Sequence, residues 1–191
     1  MTDKFKDVIE IWSDVIVPDP PELKSINVDT KSTAFLLLDI QQQNCTPRPR
    51  CIESIPMVKE LLEDSRKRKM LVVYTLTKIG KREDVREEVR PLDEELFVAS
   101  GVDKFFGTNL EDILIRNNIK NVLLAGTAAQ GAVLHTATGA ALRNFQVIVP
   151  IDCMSSAEIY AEQYTAWHLA NAPGTKGKCV LTRRSMINWT E

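Results

Sequence analysis

The chain has little of what several chemistries require. It holds only two histidines, His135 and His168, with no paired ligand spacing, so no metal centre is expected from them. Lys and Arg number 24 against 26 Asp and Glu, a formal net charge of -2. Without a basic excess to neutralise a phosphate backbone, a dedicated nucleic-acid binder is excluded. Its four cysteines, at 45, 51, 153 and 179, form no CxxC pair, which excludes a zinc knuckle. Residues 1–6 lead into no apolar core, so no signal peptide is expected and the cysteines are read as thiols in a reducing cytoplasm. No apolar run is pure enough to span a membrane. The stretch 121–142 lacks charge, yet Gly126, Thr127, Gln130, Gly131, His135, Thr136 and Gly139 dilute it.

What is present fits one globular domain of 191 residues, 44% apolar and 26% charged. Residues 1–30 read as an arm that packs on the domain or on a neighbouring subunit. Phe5, Val8, Ile9 and Trp12 recur at helical spacing, and Pro18, Pro20 and Pro21 then break regular structure. Residues 31–191 form the domain proper. The apolar run 33–40 predicts a strand buried on both faces. Ser54 and Pro56 predict a helix start, with Val58, Leu61 and Leu62 as its buried stripe and Arg66 to Lys69 at its end. Further strands are predicted over 70–76, 121–125, 146–150 and 179–182. Helices are predicted after a capping box at 108–111, over 129–143 and over 156–170, with a terminal turn at 185–189. The segment 78–100 is a charged excursion of the kind that forms lids. Strand and helix alternate, which predicts an α/β, three-layer αβα domain on a doubly wound, mostly parallel sheet.

Ligands of such sheets bind outside the carboxyl ends of the strands. Asp39 and Gln41 follow the first strand, Thr77 the second and Asp152 the fourth. Gly126 to Ala132 forms a small-residue turn at a helix N-terminus, suited to an anion or a developing oxyanion. No GK[ST] follows, so the turn is not a nucleotide phosphate loop. Asp39, at the end of a buried strand, is the candidate acid or base.

The segments Ala34-Phe-Leu-Leu-Leu-Asp39-Ile-Gln41, Phe105 to Leu110, Gly126 to Ala137 and Val147 to Asp152 resemble the isochorismatase-like hydrolases over about residues 33–185. The resemblance implies a six-stranded parallel sheet between helices. Its cysteine-hydrolase members use an Asp–Lys–Cys triad and a non-proline cis peptide that shapes an oxyanion hole. Carried over, the Asp is Asp39, the cis bond falls at Thr127-Ala128, and the hole uses the N–H groups of Ala128 and Ala132. The nucleophile position is Ala132, whose methyl group cannot attack a carbonyl. The family lysine position is held by Ala99, and Lys104 is the candidate replacement. Nicotinamidase-type metal ligands after the second strand are missing, with Thr77 near the Asp position.

The resemblance implies a hydrolase of non-cysteine type acting on a small, anionic molecule, with Asp39 as general acid/base. Gln41, Thr77, Phe105, Phe106, Thr127, Ala128 and Gly131 are the candidate substrate contacts, and no cofactor or metal is expected. Cys45 is a second candidate nucleophile. One alternative is a catalytically inactive relative acting as a binding or structural oligomer. Another is a cysteine amidase with Ala in place of Cys at 132. A homo-oligomer, a dimer or larger, is expected.

Overall fold

The structure, a computed structural model, describes residues 5–191. The first four residues of the arm, and with them most of the segment read for a signal peptide, lie outside the described residues. The predicted amphipathic helix does not form. Residues 5–17 contain turns and one 3-10 turn at Trp12–Asp14, and every one of them is exposed. A helix this short has no stability in water without a surface to bury its stripe.

The domain is built on parallel strands. β1 (Ile26–Asp29) pairs in parallel with β9 (Ile187–Thr190), so the predicted terminal turn at 185–189 is instead a 3-10 turn followed by a strand. The main sheet holds β2 (Thr33–Leu38), β3 (Leu71–Thr77), β4 (Leu96–Ser100), β5 (Asn121–Thr127), β6 (Gln146–Pro150), β7 (Met154–Ser155) and β8 (Cys179–Thr182). Its order is β4-β3-β2-β5-β6-β8, with β7 continuing the ladder beyond β6 on the end of β5. The count is therefore seven rather than six. Beyond the five strands located in the sequence, the sheet adds the two-residue β7 and β4, an edge strand within the 78–100 excursion whose alternating exposure hides it among charged residues.

Alternate residues of β2 serve two cores. Phe35 and Leu37 meet Cys51, Ile55, Val58, Leu61 and Leu62 of α2 (Pro49–Lys67). Leu36 and Leu38 meet α3 (Leu110–Arg116) through Leu114, α4 (Leu134–Leu142) through Ala137 and Ala141, and α5 (Ile159–Asn171) through Leu169. Burial on both faces explains the unbroken apolar run, and the three layers are those expected.

Several helix starts differ from the sequence reading. α2 begins at Pro49, not Ser54, because proline is well placed in a first turn. Ser54 instead donates its hydroxyl to the Cys51 carbonyl, and Pro56 lies inside the helix. The capping box at 108–111 is not formed. Thr108 accepts the Leu110 N–H at 3.2 Å and donates to the Lys104 carbonyl at 2.6 Å. The helix expected from 129 opens with a π turn, Ala129–Val133, before α4 proper.

Candidate active site

The end of β2 is where the chain leaves regular geometry. Asp39 has φ 52, an uncommon conformation for a residue with a side chain, and its N–H still bonds the Thr75 carbonyl at 3.3 Å. Its side chain is 8% exposed. One oxygen accepts the Thr75 hydroxyl at 2.8 Å, and the other lies 2.7 Å from Lys104 Nζ. Lys104 is fully buried, and its Nζ also donates to the carbonyls of Leu76 at 3.2 Å and Ser100 at 3.4 Å. Three acceptors take the three ammonium hydrogens, which is what a buried cation needs. Burial raises the Asp39 pKa above the ordinary carboxylate value, and the Lys104 charge and the two hydrogen bonds oppose this without cancelling it.

Lys104 reaches Asp39 from a loop, not from a strand. Ala99 lies on β4 with its side chain exposed, whereas the chain after β4 turns back under α4. Thr136 of α4 accepts the Lys104 N–H and donates to the Val102 carbonyl, both at 3.3 Å. Gly139, one turn further on, lets the loop press close. A Cβ there would lie 2.8 Å from Asp103 Oδ1.

β5 runs beside β2, with Gly126 in register with Leu38. Gly126 has φ 143, and a Cβ would lie 2.1 Å from the Leu38 carbonyl oxygen, so only glycine fits. The next peptide, Thr127-Ala128, is cis. The Ala128 carbonyl then accepts the N–H groups of Gly131 at 3.0 Å and Val133 at 3.3 Å, which winds the π turn. Ala132 sits in that turn, buried among Val133, Leu134 and Met154. Thr127 turns its hydroxyl to the Ser155 carbonyl at 3.1 Å.

Other candidates take other places. Gln41 is fully buried. Its Oε1 accepts the Thr77 N–H at 2.9 Å, and its Nε2 has no partner and faces Gly80. Gln41 therefore ties β2 to the exit of β3, with Thr77 as its partner. Phe105 is not at the site. It is buried beneath α4, with its ring 6.2 Å from that of Phe145 and 4.7 Å from the Arg143 guanidinium. Phe106 is exposed. Gly131 lies near Val102 at the mouth of the turn. Asp152 accepts the Arg184 N–H and so holds the start of the β9 turn. Cys45 and Cys51 form a disulfide, Cα atoms 5.3 Å apart. This corrects the reading of all four cysteines as thiols and removes Cys45 as a nucleophile. The free thiols of Cys153 and Cys179 are pushed up in pKa by burial, Cys179 to about 12.

The excursion 78–100 crosses the strand end. The Arg86 N–H bonds the Ile40 carbonyl at 3.1 Å, and Gln41 bridges Val85. Two open clefts lie elsewhere. One, of about 590 Å³, includes Lys59, Arg66 and Arg86, and the other, of about 660 Å³, includes Lys31, Lys67 and Lys69. Neither is lined by Asp39, Lys104 or Ala132.

Thr75 stands at the end of the second predicted strand but is not among the candidate substrate contacts. Its signal is register: it pairs with Leu38, which sets its hydroxyl beside the next residue.

Residues 33–178 match the isochorismatase domain family. The uncharacterized isochorismatase family protein YaaI of Bacillus subtilis (strain 168) is 22% identical over 119 residues, and the match covers 53% of this chain and 66% of that protein. The structure of N-carbamoylsarcosine amidase from Thermoplasma acidophilum superposes with a TM-score of 0.70 at 23% identity, over 80% of this chain and 96% of that one. A cysteine hydrolase from Pseudomonas syringae pv. phaseolicola 1448A gives 0.75 at 15% identity, over 86% and 94%. Nicotinamidase from Bacillus subtilis gives 0.72 at 16%, over 80% and 99%. At these identities the solved structures share the fold, while the family match spans most of the chain. The chain belongs to the isochorismatase domain family.

Proposed function

We propose that this chain is a hydrolase that works without a thiol, with Asp39 as its general acid and a small, anionic molecule as its substrate. The observation that carries the reading is the place of Asp39: a buried carboxyl fixed by Thr75 and Lys104 at the ligand edge of the sheet. Burial makes such a carboxyl easier to protonate than an ordinary one, which suits a group that gives up a proton and takes it back. Ala132 leaves acid chemistry as the route open at that turn.

A vinyl ether suits these parts. Asp39 gives its proton to the terminal alkene carbon, which leaves an oxocarbenium ion on the ether carbon. Water adds to that carbon and returns a proton to Asp39. The hemiketal then collapses to a ketone and an alcohol. The ammonium of Lys104 stabilises the carboxylate formed in the first step. The N–H groups of Ala128 and Ala132 hold a substrate carboxylate or carbonyl. Entry requires the 78–100 segment to lift from the strand end.

The test is a hydrolysis screen of vinyl ethers, small amides and ureides with wild type, Asp39→Asn and Ala132→Cys. The expected result is vinyl-ether turnover in wild type, lowered roughly 10²–10⁴-fold in Asp39→Asn. Amide hydrolysis appearing only in Ala132→Cys sinks the acid reading. It favours instead a cysteine amidase with Ala in place of Cys at 132, a reading supported by the intact Asp39–Lys104 pair. Silence in all three proteins leaves the inactive, binding or structural relative.

A further inference from the structure

Among the described residues, two apolar surfaces have no partner. The first is the arm. Phe5, Val8, Ile9, Trp12, Val15, Ile16 and Val17 all stand in solvent, Trp12 at 63% and Ile16 at 91% exposure. The second is α5. Of its thirteen residues only Thr165 and Leu169 are buried. Tyr160, Tyr164 and Trp167, spaced to share one face of the helix, are exposed, Tyr160 at 62%. A helix that buries so little while showing three aromatics has its apolar face outward, the reverse of a helix that has finished packing.

The arm leaves the domain beside α5. Leu23 packs on the core, and the Lys24 N–H bonds the carbonyl of Leu181 in β8, the edge strand against which α5 lies. Between Val17 and Leu23 comes Pro18-Asp19-Pro20-Pro21-Glu22. Proline fixes its own φ and holds the preceding residue extended, so this segment forms a stiff spacer of roughly 16 Å. The spacer carries the arm away from the core of its own chain.

We infer that residues 5–17 of one chain dock on the exposed face of α5 of a second copy, which returns its own arm in the same way. The exchange closes under a two-fold axis, since each chain offers one arm and one helix face. Its size is that of a stable dimer. The seven apolar side chains expose roughly 800 Å² per arm, about what one partner contributes to a standard interface. Charge agrees. The arm carries Asp7, Glu10 and Asp14 against Lys6, while the turn after α5 carries Lys176 and Lys178, neither paired with an acid among the described residues.

Sedimentation equilibrium of the full chain tests this, comparing wild type with Trp12→Ser/Ile16→Ser and with Tyr160→Ser/Trp167→Ser. Circular dichroism of each confirms the fold. The expected result is a dimer in wild type and a dissociation constant raised at least roughly 100-fold in both variants. A monomeric wild type overturns the inference, as does a dimer that either pair of changes leaves intact. A second measurement places the arm: Ile16→Cys/Tyr164→Cys, oxidised under non-denaturing conditions, is expected to give a covalent dimer. A cross-link confined to single chains overturns the exchange.

Discussion

Asp39 and Lys104 hold opposite charges 2.7 Å apart where water does not reach, so neither can be removed alone without stranding the other. Lys104→Met is expected to cost about 3–5 kcal/mol of stability, read by urea unfolding at neutral pH. The loss has a pH sign. A carboxyl whose folded pKa is raised stabilises the fold fully below its unfolded pKa, and that contribution is lost as pH rises through the folded pKa. Without Lys104 the folded pKa moves further up. The variant therefore recovers stability on acidification through that window, while wild type shows a weaker trend. The same shift governs turnover: kcat/KM of an Asp39-acid hydrolase falls as pH rises past the raised pKa. Asp39 was legible in the sequence because an acid ending a run of apolar residues has few roles besides a site. Lys104 was a weak signal alone, a lone lysine before Phe105-Phe106-Gly107, and gained a role only against the resemblance, where Ala99 fills the family lysine position. Thr75 was not selected, because its bond to Asp39 is made across strands and depends on register.

Among the elements, the turn after β5 is the least tolerant of change. Gly126→Ala drives a methyl group into the Leu38 carbonyl at a φ that side chains avoid, and a loss of about 3 kcal/mol in chemical denaturation is expected. Gly139→Ala pushes instead on the loop that carries Lys104, so it should lower activity more than stability. The Cys45–Cys51 bridge closes the turn between α1 (Gln42–Cys45) and α2, directly after the strand that bears Asp39. Its loop is short, and Cys45→Ser/Cys51→Ser is expected to lower stability by about 2 kcal/mol relative to the oxidised protein. The strands β2, β3, β5 and β6 were readable because burial on two faces favours continuous apolar runs. β4 was not, since its outer residues face water. The disulfide was not either, because a spacing of six residues says nothing of pairing until helix geometry brings the sulfurs together.

For the whole molecule, a formal charge of -2 leaves little electrostatic repulsion between copies, and the exposed arm supplies attraction. An association of this apolar kind should persist or strengthen as salt is raised from about 0.1 M to about 1 M, where an ion-pair interface would weaken. Light scattering across that range reads the difference. The arm shows where reading by pattern ends. Helical spacing at Phe5, Val8, Ile9 and Trp12 was present, yet spacing describes only which residues share a face, and no surface among the described residues receives that face.

The ladder between β1 and β9 sets an order on biosynthesis. β1 is made before any strand of the main sheet, and the strand it needs follows some 160 residues later. At the usual pace of translation that interval is roughly 10–30 s. Through it, the growing chain carries an unsatisfied strand edge, and β1 stays unpaired until Ile187–Thr190 has emerged. A message cut short before that point yields a chain whose main sheet can form while its first strand stays open, and an open strand is the kind of edge that chaperones and proteases find.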